Sequence, residues 1–428
     1  MTLVQRDEIP DGWTSAPLKS VARLISGGTP DTENESYWAN EDGENWVAIG
    51  DMSGTDLVVS TEKAITVQGR LSARLVVGQP GTVLFAMYAS VGAVSTLGVK
   101  ASWNQAILGI EPIHARSSPK YLAYSLIASR DQLPYLYRSN TQNNLNASQV
   151  GGFRILVPPL DEQRQIAEYL DRETGKIDEL IAKQEQLVDA LSERRHSLVN
   201  RSVTGGIDVE TQVNESSRLG LSNIPKRWSE VSLVRVAPHR VDYRGATPIK
   251  TETGVQLVTA RNVKPGWIDY ETSVEFIAAD SYDTVMRRGL PEIGDVLLTM
   301  EAPLGNVALV DRMDVAFAQR VIKFRLKPEL AIPEFMLFAM NSNYFQQQLQ
   351  SKGTGSTAIG LKASKLVELI VALPPVEEQK LIAEYLASET RKMDLLMQSC
   401  RQLALRLRER RAALISAAVT GKIDVQRL

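Results

Sequence analysis

The chain has 428 residues, 43% hydrophobic and 23% charged, with 48 Lys and Arg against 50 Asp and Glu and a single cysteine. These values suit a globular protein of two or three domains and exclude a low-complexity, collagen-like or disulfide-stapled chain. A formal net charge of −2 gives little general pull on a polyanion, no apolar run is long enough to span a bilayer, and Met1 to Pro10 holds no signal-peptide core.

Residues 1–157 alternate short β-rich runs with turns. Trp46–Ile49, Thr82–Ala86 and Ala106–Ile110 read as strands, Gly27-Gly28-Thr29-Pro30 and Gly78–Gly81 as turns, and Tyr121–Arg130 as a helix. At 158 the pattern changes. Pro158-Pro159 stops the strand, Asp161-Glu162 put negative charge where a helix dipole favours it, and Gly205 supplies a stop. Between them Ile166, Leu170, Ile177, Leu180, Leu187, Leu191 and Leu198 recur at heptad spacing. Residues 158–205 are therefore expected to form one long helix, about 60 Å of rod for some 40 residues.

Residues 206–223, with Ser, Asn and Glu, read as a linker. Residues 224–373 then repeat the plan of the first domain loosely. Ile224-Pro225-Lys226-Arg227-Trp228 answers Ile9-Pro10-Asp11-Gly12-Trp13, Gly294–Leu297 answers Gly81–Leu84, and Ala318-Gln319 answers Asn104-Gln105. Residues 374–420 repeat the helix closely. Pro374-Pro375-Val376-Glu377-Glu378-Gln379 answers Pro158–Gln163, and Thr420-Gly421-Lys422-Ile423-Asp424 answers Thr204–Asp208, both at an offset of 216 with nothing inserted or lost. Its stripe is Ile382, Leu386, Met393, Leu396, Leu403, Leu407 and Leu414, and Cys400 lies on it as a small core residue.

A narrow apolar stripe on one rod needs a partner. Two such rods satisfy each other as an antiparallel coiled coil, whereas two unrelated amphipathic helices in one core leave the gapless repeat unexplained. The fold class expected is α+β: two mixed α/β heads separated by two long helices, with pseudo-two-fold, circular organisation. The tail, 421–428, should lie near the N-terminus. Charge divides unevenly between the halves: residues 1–210 carry 19 Lys and Arg against 26 Asp and Glu, leaving 29 against 24 for 211–428.

The duplicated Pro-Pro-x-x-Glu-Gln-x-x-Ile-Ala start at 158–167 and 374–383, behind two domains that open Ile-Pro-x-x-Trp, resembles the specificity subunit of type I restriction-modification systems. The resemblance covers essentially the whole chain. It implies that each head is a target recognition domain reading one half of a split sequence in double-stranded DNA. It implies helices that set the spacer and dock two methyltransferase (modification) subunits, which recruit restriction (endonuclease and translocase) subunits. It further implies a bacterial or archaeal cytoplasm and no cofactor on this chain, with S-adenosylmethionine in the methyltransferase subunits and ATP and Mg in the restriction subunits.

The residues agree with a non-catalytic subunit. The three histidines show no metal-ligand spacing, no Asn-Pro-Pro-aromatic or Asp-Pro-Pro-aromatic box is present, and Gly355–Gly360 lacks a lysine directly after its second glycine. Two other readings compete: a detached recognition part of a fused nuclease-methyltransferase, which would bind S-adenosylmethionine, and a coiled-coil scaffold that binds only proteins.

DNA contacts need cations or amides on loops. The first head offers Thr29, Tyr88, Ser90, Asn104, Gln105, Asn140, Gln142, Asn143 and Asn144. The second offers Arg244, Thr247, Arg261, Asn262, Gln319, Arg320, Lys352, Thr354, Ser356, Thr357 and Lys362. Tyr37, Trp38 and Trp267 could stack on distorted bases, with core packing as the commoner alternative. For each loop residue the competing reading is a solvated turn.

Overall fold

The computed structural model describes residues 9–40, 42–130, 133, 144–207, 212–216, 220–221, 223–245, 247–354 and 359–425. Two long helices dominate, α2 (Leu160–Gly205) and α4 (Val376–Val419); two shorter ones, α1 (Pro119–Ala128) and α3 (Pro333–Asn341), belong to the heads. The chain divides into two compact units that cut both long helices: Met1–Gln184 with Gln402–Leu428, and Glu185–Arg401.

In the first unit a five-stranded sheet runs Ala22–Ser26, Ile107–Pro112, Val83–Ala86, Val94–Leu97, Leu57–Val58, antiparallel except for its last pair. A four-stranded sheet, Trp38–Ala39, Lys63–Ile65, Glu44–Val47, Ala101–Trp103, ends in a parallel pair. In the second unit the order His239–Asp242, Val321–Arg325, Val296–Met300, Leu304–Leu309 reproduces the first four strands of that five-stranded sheet. A smaller sheet again pairs a parallel strand, Val255–Val258 beside Val315–Phe317. In each unit the strand before the long helix pairs antiparallel with the strand after the Ile-Pro-x-x-Trp opening: Thr14–Pro17 with Arg154–Val157, and Ser229–Ser232 with Ile370–Leu373. The heads thus share a plan that their sequences hardly show.

The Pro-Pro-x-x-Glu-Gln motif joins head to helix through its glutamine, and both copies do so alike. Gln163 is buried; its side-chain oxygen accepts from Ser118 N at 2.9 Å, and its amide donates to the carbonyls of Arg116 and Pro158, each at 2.9 Å. Gln379 accepts from Ile332 N at 3.0 Å and donates to the carbonyls of Leu330 at 2.8 Å and Pro374 at 2.9 Å. Each glutamine therefore pairs the backbone just before α1 or α3, where a proline follows that lacks an N–H of its own. Thr174 and Thr390 match as well, each donating to the carbonyl four residues back at 2.6 Å.

The long helices pack antiparallel within each unit. In the first, Ile166, Ala167 and Leu170 share a buried cluster with Ile415, Ala418 and Val419, together with Trp13 and Tyr121 of the head. In the second, Val199 and Val203 lie with Ile382, Ala383 and Leu386 beneath Trp228 and Phe335. The ion pairs repeat too: Arg411 meets Asp178 at 2.9 Å, and Arg195 meets Asp394 at 3.2 Å. Both partners of the second pair stand 216 positions from their counterparts. The tail of α4 returns to the start of the chain, as the repeat requires. Gly421 takes φ +73°, and a Cβ there would lie 2.2 Å from Pro10 Cγ, so glycine alone fits.

The seam differs from the heptad stripe expected from sequence. Ile166, Leu170, Ile177, Ile382, Leu386 and Met393 are buried, and Leu191, Leu198, Leu407 and Leu414 are half-buried. Leu180, Leu187, Leu396 and Leu403 instead face outward, 46%, 46%, 54% and 45% exposed. The seam takes Ile181, Met397, Cys400 and Ala404, all under 10% exposed, with Val188 half-buried. Neighbours on a helix lie about 100° apart, so of Leu180 and Ile181 only one can face the partner. Choosing the leucine at each doublet placed those positions off the seam by one residue.

Candidate nucleic-acid interface

Four loop segments meet at one edge of the first head. Gly27-Gly28-Thr29-Pro30 packs on the turn Trp103–Gln105: Gly28 N donates to Trp103 O at 2.9 Å, and a Cβ on Gly27 would stand 2.0 Å from Asn104 O. Only a glycine permits that approach. Trp46 Nε1 donates to Gly28 O at 3.0 Å, and Trp38 stacks edge-on against Trp46 at 5.1 Å. The Thr29 hydroxyl then donates to the Gln105 side-chain oxygen. The turn after Val83–Ala86 joins them, because Met87 N donates to Ala106 O at 2.7 Å. The loop leading to Asn146 joins last, with Leu145 N donating to Met87 O at 3.0 Å.

The second head builds the same edge, with Thr, Gln and Met again at the joining positions. Gln319 donates its amide to the Thr247 hydroxyl. Met300 N donates to Arg320 O at 2.7 Å, and Leu361 N to Met300 O at 2.9 Å. Thr354 and Gly360 exchange backbone hydrogen bonds of 2.9 and 3.0 Å, and Gly360 forms a bridge to Glu301. Two backbone bonds and one threonine–glutamine contact therefore recur in matching places.

Backbone strain gathers on these edges. Among the described residues five non-glycines are left-handed: Arg74, Ala89, Ala302, Gln319 and Arg320, with φ between 42° and 63°. Four of them lie on the two edges. Each such conformation costs about 1–2 kcal/mol, and it aims a side chain that extended backbone would send elsewhere. Arg320 reaches Glu301 at 3.2 Å with both side chains exposed. A surface pair of this kind is worth about 0–1 kcal/mol, too little to offset two consecutive left-handed residues.

The residues chosen from sequence fare differently. Thr29, Asn104, Gln105, Thr247, Gln319, Arg320 and Thr354 come together on the edges, and Tyr88 and Ser90 lie on the turn after Met87. Asn144 is exposed beside Leu145. Asn140, Gln142, Asn143, Ser356 and Thr357 lie outside the described residues. Asn262 does not belong with them. It is fully buried, and its side chain accepts from Thr259 N at 3.0 Å and donates to the carbonyls of Asp269 and Ser273 at 2.9 and 3.0 Å, so it ties a loop together. Arg244 has a holding role: it grips Asp242 through Nε and Nη2 and donates from Nη1 to Leu361 O at 3.0 Å. Asp242 accordingly holds the guanidinium pKa above its ordinary value. Lys352 pairs with Glu368 at 3.0 Å, while Lys362 and Arg261 stand exposed. Tyr37 and Trp38 are half-buried, and Trp267 is exposed.

The residues that fasten head to frame stand outside that selection. They are Gln163 and Gln379, Glu378, which takes two hydrogen bonds from Arg227 at 2.8 and 2.7 Å, and Arg411, which also meets Asp56 at 2.7 Å. Their signal in the sequence is repetition at the offset of 216, not residue chemistry.

The family model for the type I restriction modification DNA specificity domain matches residues 10–189 and 276–403, well over half of the chain. The chain belongs to the type I restriction-modification DNA specificity family. Relatives include the MjaVIII specificity subunit of Methanocaldococcus jannaschii, 25% identical, covering 98% of this chain and 95% of that one. The EcoKI specificity subunit of Escherichia coli is 21% identical over 98% of this chain and 91% of its own length. Among solved structures, a chain from a study of complex assembly in a type I restriction-modification system aligns with a TM-score of 0.74 at 16% identity, covering 97% and 99% of the two chains. The HsdS subunit of Thermoanaerobacter tengcongensis aligns at 0.52 and 17%, covering 97% and 98%. These likenesses carry the fold: two mixed α/β heads and two long helices, as the specificity-subunit resemblance implied. Among the described residues no helix is long and apolar enough to cross a membrane.

Proposed function

We propose that each head of this specificity subunit reads one half of a bipartite DNA target, while the helices set the spacer and dock methyltransferase subunits. One observation carries the reading. Two heads of divergent sequence build the same four-segment edge, on frames joined by an ungapped repeat. A shared architecture with different side chains is what two independent readers of different half-sites need, since base edges are distinguished by the groups presented to them. Protein subunits have a surface to cover: Leu180, Leu187, Leu396 and Leu403 leave apolar area in water on the long helices. The chain itself works without chemistry of its own. S-adenosylmethionine belongs to the methyltransferase subunits, and ATP and Mg to the restriction subunits, in a bacterial or archaeal cytoplasm.

The test exchanges residues 16–157 for the first head of another specificity subunit and sequences the methylated sites produced by the assembled complex. One half of the target should change and the other persist. A change in both halves, or in the wrong one, would remove the reading. The scaffold alternative fails if the complex methylates a defined sequence that follows the head. The fused-enzyme alternative fails if the purified chain shows no S-adenosylmethionine binding.

A further inference from the structure

Arg320 and Glu301 form an ion pair at the edge of the second head. Both side chains are exposed at the open edge, 3.2 Å apart. The residues around them are tightly fixed. Arg320 O accepts from Met300 N, Gln319 is tied to Thr247, and Gly360 bridges to Glu301. Gln319 and Arg320 both hold left-handed backbone, with φ +50° and +63°, directly before the strand Val321–Arg325. Two nearby arginines have other tasks: Arg244 grips Asp242, and Arg288 donates to the carbonyls of Asp242 and Arg244 at 2.6 and 2.7 Å. In the first head the corresponding position is Ala106, whose carbonyl makes the same bond to Met87 N with no charged side chain.

We infer that Arg320 is a base-reading residue of the second head, its guanidinium taking the O6 and N7 acceptors of one guanine in the major groove, with Glu301 as the positioning residue that holds it ready. The inference rests on the bipartite reading proposed above. A guanidinium presents two parallel N–H groups to those two acceptors, the fork that a lysine lacks. Glu301 holds the arginine before DNA arrives, which limits the rotamer freedom lost on binding. The first head has Ala106 in this place, so the effect of replacing Arg320 is confined to the second half-site.

The experiment compares methylated-site profiles of the assembled complex carrying the native chain, R320A, R320K or E301Q, beside an exchange of residues 224–373 as control. R320A should relax one guanine position of the second half-site about 10- to 100-fold and leave the first half unchanged. R320K should retain modification while losing most of that selectivity. E301Q should keep the guanine preference but lower the rate of modification. A native profile for R320A, or an equal loss at every position of both halves, overturns the assignment. If R320A abolishes modification, R320K decides: a relaxed guanine position supports the assignment and an unchanged profile overturns it. If the head exchange changes the second half-site while the Arg320 variants leave it intact, this inference fails and the bipartite reading stands.

Discussion

Gln379 shows how much one side chain can carry. It is fully buried and supplies three hydrogen bonds to backbone groups of its head and helix start. Each buried group left unpaired costs about 1–3 kcal/mol, so Gln379→Ala should lower stability by about 2–5 kcal/mol in denaturant unfolding. Gln163→Ala should act similarly on the first unit, and a negligible shift for both would show that water replaces the side chain there. Asp295 gives a second residue-scale prediction. Burial alone would raise its carboxyl pKa, but hydrogen bonds from Arg325, Lys323 and Glu292 N outweigh it and hold the group below the usual carboxylate range. A depressed folded-state pKa adds stability above the unfolded value, about 3.9, and that stability disappears as pH falls through the folded value. Melting of the native chain should thus weaken steeply below about pH 4. Asp295→Asn should lose about 3 kcal/mol at neutral pH and show a flatter acid limb.

At the scale of elements, the paired helices invite a comparison of neighbours. Ile181→Ala and Met397→Ala open space in the seam and should each cost about 2–3 kcal/mol. Leu180→Ala and Leu396→Ala, one residue away and exposed, should change stability by under about 1 kcal/mol. Thermal melting of the four variants would separate the seam from the surface, and equal shifts would contradict the assignment. The same surface leucines changed to Gln should leave the isolated chain folded and weaken association with methyltransferase subunits, as measured by co-purification. The comparison also explains what the sequence could disclose. The two helices were readable because repetition, proline stops and heptad spacing all act locally. Which member of Leu180-Ile181 or Leu187-Val188 turns inward was not, because both are apolar and the choice depends on the partner helix. Asn262 escapes a local reading for a related reason: an amide in a turn has the same local signature whether it faces solvent or a ring of carbonyls. The edge residues Thr29 and Gln105, 76 positions apart, meet only through the sheet between them.

At the scale of the molecule, each compact unit contains one head and parts of both long helices. Lengthening α2 alone would therefore leave the added turn without a partner. Matched four-residue insertions after Gln184 and Cys400 lengthen both helices at equivalent positions and should add about 6 Å to each. If the helices act as the ruler, the spacer between the half-sites should grow by one to two base pairs at about 3.4 Å each. Methylated-site sequencing of the inserted variant reads this directly, and an active variant with the original spacing would show that the helices do not set it.

The division of the helices bears on how the protein is made. Tyr121 donates to Leu156 O at 2.9 Å and to Val419 O at 3.4 Å, in a cluster that also needs Ile415 and Ala418. Synthesis runs from the N-terminus at about 5–20 residues per second, so the first head must wait on the order of 15–60 s on the ribosome for the segment that covers it. During that interval Trp13, Ile166 and Leu170 present apolar surface, a standing invitation to chaperones and to other nascent chains. Ribosome-bound chains stalled before residue 402 should be cut by protease near the start of α2, whereas chains that include residues 402–428 outside the ribosome should resist. A premature stop late in the reading frame would then harm the part of the protein made first.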